Sequence, residues 1–242
     1  MQPHAPRAGA WRAPWLVVVG VILATAFSPR VVAAAPVTGP LVRFTVFGLR
    51  PAGEVAFVPK PGAAPQKVQF YPTARSPRYE YRGASPLRFI DPETKAVVAE
   101  AAVPPGAGDV LLVFSPAAAG KSSGAPRYDV TILDDSLTRH PIGSLVIVNL
   151  SGQALAGTVN DRAVSPEPGA NAPIPLGRSA AIRFTSSNKN RVVQAYAGTV
   201  SLARDERALL VLFPPFHPGS AEVQARVLVD RRGSGTKSAP RK

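Results

Sequence analysis

The stretch Leu41-Val-Arg-Phe-Thr-Val-Phe47 decides the fold class. Its apolar residues Val42, Phe44 and Val46 alternate with polar ones, which is the period of two expected of a strand with one buried face. Short apolar runs of this kind recur between clusters of Pro, Gly and Ser in a chain with 27 prolines and 20 glycines. No segment sustains helical periodicity over three turns. The sequence therefore predicts an all-β fold.

The same pattern returns in the second half of the chain. At a constant offset of 104 residues, Leu41-Val42 matches Leu145-Val146, and Ala52-Gly53-x-Val55 matches Ala156-Gly157-x-Val159. Three further matches follow in the same order with offsets that fall to 95: Leu87-Arg88-Phe89 with Ile182-Arg183-Phe184, Leu111-Leu112-Val113 with Leu209-Leu210-Val211, and Thr131 to Asp134 with Val227 to Asp230. An ordered series of matches indicates an internal duplication. A single larger sandwich is the structural alternative.

Each half has the size of an immunoglobulin-like sandwich, for which about 100 residues and seven strands are usual. We therefore predict two tandem immunoglobulin-like antiparallel β-sandwich domains after an N-terminal signal peptide. The predicted segments are a signal peptide at 1–34, a first domain at 35–137, a linker at 138–143, a second domain at 144–230 and a disordered basic tail at 231–242.

The duplication predicts which residues take equivalent places. The halves should share one strand order, with Leu41 to Phe47 and Leu145 to Ser151 as first strands and with Tyr128 to Asp134 and Val223 to Asp230 as last strands. Val113 and Val211 lie in the most apolar runs of their halves and should be deep in two separate cores. Gly48 and Gly152 should occupy the same turn. The offset of 104 also predicts that Val42, Phe44 and Val46 are buried where Val146, Val148 and Leu150 are buried.

The amino-terminal segment has the three parts of a secretory signal peptide. Arg7 and Arg12 precede an apolar run from Trp15 to Phe27, and small residues follow. A membrane anchor is the alternative, but such a run spans only about 20 Å of a roughly 30 Å hydrocarbon core. Cleavage after Ala34 is expected, because the competing site would place Pro36 directly after the cut bond. The mature protein would be periplasmic or extracellular, without a transmembrane span.

The formal net charge of +13 is concentrated at the two ends of the chain. The last twelve residues hold no acid and five cations, which are Arg231, Arg232, Lys237, Arg241 and Lys242. A basic tail attracts anionic polymers through the release of counterions. Export argues against nucleic acid, so the expected partners are another envelope protein or an anionic polysaccharide. A GC-rich genome, which favours Arg over Lys, would produce the same charge without a function.

The chain carries few residues from which a catalytic or metal site could be built. It has no cysteine, which excludes disulfides and thiolate chemistry. His140 and His217 each adjoin a proline and are expected to face solvent. Asp134 and Asp135 are adjacent, so their side chains should point to opposite faces of a strand rather than form a catalytic pair. We expect no enzyme activity, no metal and no cofactor.

One aromatic and basic cluster is a candidate binding surface. Aromatic faces beside guanidinium groups can stack on sugars or hold anionic polymers. Ordinary packing of amphipathic strands produces the same pattern. The candidate binding residues are those of the cluster and three cations of the tail: Tyr71, Arg75, Arg78, Tyr79, Tyr81, Arg82, Arg231, Arg232 and Lys237.

A resemblance to a known group rests on three short pieces, Asn149-Leu150-Ser151-Gly152, Leu111 to Phe114 and Leu228-Val229-Asp230. Their order resembles that of secreted, internally duplicated β-sandwich proteins of environmental bacteria whose function is unassigned. The resemblance covers the mature body and implies a fold and export. The pieces are typical of strands rather than of sites, so it carries over no functional residue.

The function expected from these observations is that of a non-catalytic envelope or extracellular module that binds a protein or polyanionic partner. One alternative is a periplasmic chaperone-like protein that acts by strand addition, in which a partner segment adds a strand to an exposed sheet edge. The other alternative is a hydrolase with an unfamiliar site.

Overall fold

The computed structural model describes residues 39–49, 51, 53–104, 106–117, 126–188 and 191–231. Within these ranges every regular element is a β-strand, and the strands form four sheets. The prediction of an all-β fold is confirmed. The described ranges contain no helix that is long and apolar enough to cross a membrane. The predicted signal peptide at 1–34 and residues 232–242 of the predicted tail lie outside the described residues.

The first half of the chain forms two four-stranded sheets. Its strands are β1 Leu41–Gly48, β2 Ala56–Phe57, β3 Gln66–Lys67, β4 Tyr79–Arg82, β5 Leu87–Ile90, β6 Val97–Ala101, β7 Asp109–Pro116 and β8 Tyr128–Asp134. Sheet I has the order β4-β1-β7-β8, and sheet II has the order β3-β2-β5-β6. The pair β1–β7 is parallel, and the other pairs are antiparallel.

The second half forms two further sheets. Its strands are β9 Ser144–Asn149, β10 Leu155–Val159, β11 Arg162–Val164, β12 Gly169–Ala170, β13 Ile174–Pro175, β14 Ser179–Asn188, β15 Arg191–Ser201, β16 Glu206–Phe213 and β17 Gln224–Arg231. Sheet III has the order β12-β9-β16-β17, and β13 also pairs with β9. Sheet IV has the order β11-β10-β14-β15. The pair β9–β16 is parallel, like its counterpart β1–β7.

The two halves share one strand order, as predicted. In sheet III, β9, β16 and β17 take the places that β1, β7 and β8 take in sheet I. In sheet IV, β10, β14 and β15 take the places of β2, β5 and β6. The parallel pairs make sheets I and III mixed, whereas purely antiparallel sheets were predicted. The immunoglobulin-like assignment, the domain bounds and the duplication of the sequence stay predictions.

Each half encloses its own apolar core between two sheets. Core 1 lies between sheets I and II and is rich in phenylalanine. The rings of Phe44 and Phe57 meet edge to face with centroids 5.1 Å apart, and those of Phe89 and Phe114 do so at 4.9 Å. Such contacts add to the stabilisation from buried apolar area. Core 2 lies between sheets III and IV and is mostly aliphatic, with Phe184 at its centre among branched side chains.

A third cluster, core 3, joins the two halves. It contains Phe47 and Val113 from sheet I and Val148, Val211 and Phe213 from sheet III. The outer faces of sheets I and III therefore pack on each other, and the sheets stack in the order II, I, III, IV. Strands β7, β9 and β16 are buried on both faces, which explains why their sequences are almost continuously apolar.

The predicted register between the halves is wrong. Phe44 pairs with Val110 in sheet I, and Leu145 pairs with Ala208, the residue equivalent to Val110, in sheet III. Phe44 therefore corresponds to Leu145 and not to Val148. Because side chains alternate between faces, this odd shift moves every residue to the opposite face. Accordingly Val42, Phe44 and Val46 lie in core 1, Val146 and Val148 lie in core 3, and Leu150 packs against core 3.

Two further predictions from the duplication are wrong. Val113 and Val211 are fully buried, but they lie together in core 3 rather than in separate cores. Gly48 is the last residue of β1, where a Cβ atom would come within 2.5 Å of the carbonyl oxygen of Phe114. Gly152 instead lies in a bend after β9 with φ +71° and open space around it. The two glycines serve different purposes and occupy different places.

Core 3 should make the two halves unfold together. The variant Phe47→Ala removes a fully buried ring that lies 6.3 Å from the ring of Phe213. We expect the free energy of unfolding to fall by about 3–5 kcal/mol. Unfolding should remain a single transition, with the same midpoint for signals from the first half and from the second half. Urea titration followed by circular dichroism and by amide NMR measures this. The control Val192→Ala, at a side chain that is 77% exposed, should change stability little. Two separate transitions in the wild type would contradict the expectation.

Candidate functional site

The structure does not bring the predicted aromatic and basic cluster into one surface. Tyr79 is buried in core 1, and its hydroxyl accepts a hydrogen bond of 2.9 Å from the N–H of Gln69. Tyr81 packs against the same core, and its hydroxyl donates to the carbonyl of Ala84. Burial raises the pKa of both phenols. Strand alternation turns these two rings inward, so they offer no stacking face to a ligand.

The remaining members of that prediction are dispersed. Tyr71 is exposed and donates to the Oε1 atom of Gln69. Arg82 is exposed at the end of β4, and Arg78 lies 3.6 Å from a carboxylate oxygen of Asp109. Arg231 belongs to β17, where Asp205 and Glu206 form ion pairs with it. Arg232 and Lys237 lie outside the described residues. Of the predicted binding residues that the structure describes, only Arg75 belongs to an organised group of buried charges.

Arg75 belongs to a nearly buried group of four charges, here called the ionic junction. Its Nη1 atom donates to Asp135 at 2.5 Å, and its Nη2 atom lies 2.6 Å from Asp230. Arg207 approaches the same two carboxylates at 3.1 and 3.5 Å. Each arginine therefore contacts one carboxylate of its own half and one of the other half. Alternating charges in this arrangement compensate one another where water is scarce.

His140 lies directly beside the ionic junction. Its imidazole is 4% exposed, and its Nε2–H donates to the carbonyl of Ala208 at 2.8 Å. Arg207 in turn donates to the carbonyl oxygens of Asp135 and His140, both at 3.0 Å. Burial, helped by the positive charge of Arg207, lowers the pKa of His140 to about 4. The prediction that His140 faces solvent is wrong, whereas His217 is exposed as predicted.

The adjacent aspartates at the end of β8 have different roles, as their predicted opposite orientation implies. Asp134 is exposed and accepts a hydrogen bond of 2.9 Å from the N–H of Ser136, which begins the following turn. This bond lowers the pKa of its carboxyl. Asp135 points into the ionic junction, where burial raises the pKa of its carboxyl against the opposing effect of Arg75 and Arg207. The negative charge of a carboxylate buried in this way is stabilised by its arginine partners.

A cavity of about 450 Å³ opens next to the ionic junction. Core 3 supplies its apolar wall, and Asp135, Arg139 and His140 supply polar groups. Its volume lies within the range of small-molecule pockets. The carboxylate of Asp135 is, however, already paired with Arg75 and Arg207, and the Nε2–H of His140 is already bonded to Ala208. Among the described residues, no group of three or more His, Asp or Glu side chains is placed to hold a metal ion.

Sequence reasoning missed the ionic junction for a physical reason. Arg75 and Asp135 are 60 residues apart, and Arg207 and Asp135 are 72 residues apart. No local spacing connects them. The available signal was a charged residue at the end of an otherwise apolar run, because Asp135 follows β8 and Arg207 begins the apolar stretch of β16. Charges at such positions seldom enter a protein interior without partners.

A second accessible feature is the free edge of β15, which ends sheet IV. The N–H of Leu202 donates to the carbonyl of Arg178, on the β14 side. The carbonyl of Ala195 accepts from the N–H of Val223, on the opposite side. Because alternate residues of an antiparallel strand direct their backbone groups to opposite sides, three residues direct theirs away from β14. These are Ala197, Thr199 and Ser201, here called the free edge.

A groove of about 720 Å³ adjoins the start of the free edge. Tyr196 and Ala197 line it from β15, and Val223 and Ala225 line it from the side of β17. Phe216 stands at its border with 76% of its surface exposed. The groove lies between β15 and the side of β17 and leaves room for an added segment.

The ionic junction should be essential to stability. The variant Arg207→Met removes a cation whose side chain is 11% exposed and leaves two carboxylates underpaired. We expect a loss of about 3–5 kcal/mol in the free energy of unfolding. The matched variant Arg231→Met removes an exposed arginine from the neighbouring strand and should cost less than about 1 kcal/mol. If urea titrations give the same loss of stability for Arg207→Met and Arg231→Met, the ionic junction is not essential to stability.

His140 should make stability depend on pH. Its pKa of about 4 in the folded state lies below the ordinary 6.5, so the unfolded chain takes up a proton first as the pH falls. The contribution is complete above pH 6.5 and is lost between about pH 6.5 and 4, to a total of about 3 kcal/mol. In His140→Gln, which keeps an N–H donor, urea titrations across this range should show a flatter profile. In the control His217→Gln, the free energy of unfolding should depend on pH as it does in the wild type, because His140 is intact.

Comparison with known proteins assigns no family to the chain. No protein-family model matches it, and no curated protein matches it at a significant level. Its function is therefore inferred from the contacts, burial and charges of its own residues.

Proposed function

We propose that this chain is an exported, non-catalytic binding module that holds an extended segment of a protein partner by strand addition to β15. The observation that carries the proposal is the free edge, where Ala197, Thr199 and Ser201 direct outward backbone groups that no described residue shares. Strand addition uses such groups, since main-chain hydrogen bonds supply affinity and alternate side chains supply specificity.

The other sheet edges of the described chain are short or charged. Strands β3, β12 and β13 have two residues each, and β11 has three. Charges occur along the longer edges, with Glu80 and Arg82 on β4 and with Asp134 on β8. Short length and charge are the usual protections against pairing with another chain. β15 has eleven residues, and its stretch from Ala197 to Ser201 contains no charge and no proline, with Ala197, Thr199 and Ser201 exposed.

The free edge is also held in an extended conformation before any partner arrives. Gly198 has no side chain, and the ring of Tyr196 from the same strand covers it so closely that a Cβ atom there would overlap the phenol. An aromatic ring over a glycine stabilises an edge strand that glycine alone would weaken. Val200 and Leu202 anchor the strand in core 2. A rigid edge lowers the entropic cost of binding.

The lack of any cation from Ala197 to Ser201 favours a protein segment over an anionic polysaccharide as the occupant of the free edge. Several exposed cations are neutralised by nearby carboxylates, in the pairs Arg43–Glu80, Lys67–Glu54, Arg88–Glu100 and Arg127–Asp91. Binding of a polyanion needs unneutralised cations along its path. Export of the module is supported by the leader at 1–34, whose charged, apolar and small-residue parts follow the order of a signal peptide.

Site-specific photo-crosslinking in producing cells tests this function. A photoreactive phenylalanine analogue in place of Thr199 should form an adduct with another envelope protein, whereas the same analogue in place of Arg88, on the outer face of sheet II, should not. Adding Ala197→Pro removes an outward N–H without touching the bonds to β14, and should reduce the adduct roughly tenfold. Ala197→Val keeps that N–H and should preserve it.

Three results would contradict the proposal. One is an adduct of equal yield from position 88. Another is an adduct from position 199 that Ala197→Pro leaves unchanged. The third is an adduct of the chain with itself, which would identify a second copy as the occupant of the edge.

A further inference from the structure

We infer that the segment added to β15 carries apolar side chains at alternate positions, with an acidic residue at its amino end. This inference rests on the proposed function and names the chemistry of the partner segment. Three observations carry it: an uncovered apolar stripe on β17, the contrast with the first half, and two unpaired arginines at the end of β15.

The stripe consists of Ala225, Val227 and Val229. These residues pair with Leu212, Leu210 and Ala208 of β16, which are all buried in core 2. Residues opposite each other in a sheet share a face, so the stripe points toward core 2 as well. It is nevertheless incompletely covered: Ala225 and Val227 are half-buried, and Val229 is 45% exposed. The side chains point toward a core that no element of the described chain closes at this edge.

The first half shows how such an edge is closed. There β6, the counterpart of β15, lies beside β8, the counterpart of β17. β15 does not approach β17 to the same extent, and a groove of about 720 Å³ lies beside the hydrogen bond between Ala195 and Val223. The position equivalent to Val229 is Asp134, because Leu133 and Leu228 are equivalent members of core 3. The first half thus places a charge where the second half exposes a valine.

An added strand would cover the stripe. β15 and β17 both run from the hydrogen bond between Val223 and Ala195 toward the turn before β16, since Glu206 of that strand pairs with Arg231. Gly198 and Val200 point inward between the outward-facing residues of the free edge. Partner residues opposite Gly198 and Val200 would point inward too, at the spacing of Val227 and Val229. Apolar side chains there would remove the stripe from water.

The charge at one end of the segment follows from two arginines. Arg178 and Arg204 line a cleft of about 440 Å³ just beyond the end of β15, and neither has an ion-pair partner among the described residues. All strand pairs of sheet IV are antiparallel, and a strand added to β15 in the same sense has its amino end there. A carboxylate at that end would be attracted by both guanidinium groups.

Synthetic peptides test the inference directly. The probe is the blocked, fluorescent peptide Asp-Val-Thr-Val-Thr-Val-Thr, and its control is the isomer Asp-Val-Val-Val-Thr-Thr-Thr with the same composition and charge. Fluorescence anisotropy with the full mature chain should show roughly tenfold tighter binding of the alternating peptide. Exchanging its Asp for Lys should weaken binding about fivefold at low salt and less at high salt.

Matched variants locate the bound peptide. Val229→Asp copies the residue of the first half and should weaken the alternating peptide roughly tenfold. Val192→Asp introduces the same charge at a more exposed valine beyond the Ala195–Val223 bond and should leave affinity unchanged. Circular dichroism confirms that both variants remain folded.

The outcomes separate the inference from the proposed function. If both isomers bind equally and Val229→Asp has no effect, while Ala197→Pro abolishes binding, the inference is wrong and strand addition stands. If neither isomer binds the wild type at millimolar concentration, the inference is also wrong. If binding survives Ala197→Pro, the peptide does not use the free edge and both are wrong. Self-association that Ala197→Pro abolishes would assign the edge to a second copy and overturn the inference.

Discussion

The packing of sheet I against sheet III is the constraint on which the rest of the structure depends. It requires strands that are apolar on both faces, and β7, β9 and β16 meet this requirement in each half. Each of these strands contributes alternate residues to its own core and to core 3. Because core 3 takes buried side chains from both sheets, the two halves form one stack of four sheets rather than two modules on a flexible hinge.

The ionic junction lies where this packing ends. Arg207, the second residue of β16, pairs across the sheet with Asp230 of β17, just past the last apolar residues of core 3. Asp135 takes the equivalent place after β8, so the two halves present equivalent carboxylates to each other. Two like charges at such a position would repel, and Arg75 and Arg207 neutralise them. Core 3 supplies the attraction between the halves, and the junction supplies its orientation.

The outer sheets differ more than the inner ones. Sheets I and III form the shared interface and have the same pattern of buried residues. Sheets II and IV differ in strand length and in how their edges meet the inner sheets. In sheet IV the long β15 leaves an open side next to Val229, and in sheet II the shorter β6 lies beside β8. Functional differences between the two halves are expected at such free surfaces, because packing constrains the residues there least.

The sequence alone determined the all-β class and the shared strand order, because alternation and turn residues act over a few neighbours. It also oriented Asp134 and Asp135 correctly. It did not determine the register between the halves, since a match such as Phe44 with Val148 is as apolar as the true match with Leu145. Only the tertiary structure placed Val113 and Val211 in one core, buried His140, and joined Arg75 to Asp135 and Asp230. Those contacts connect residues far apart in the chain, and no local pattern encodes which buried face meets which.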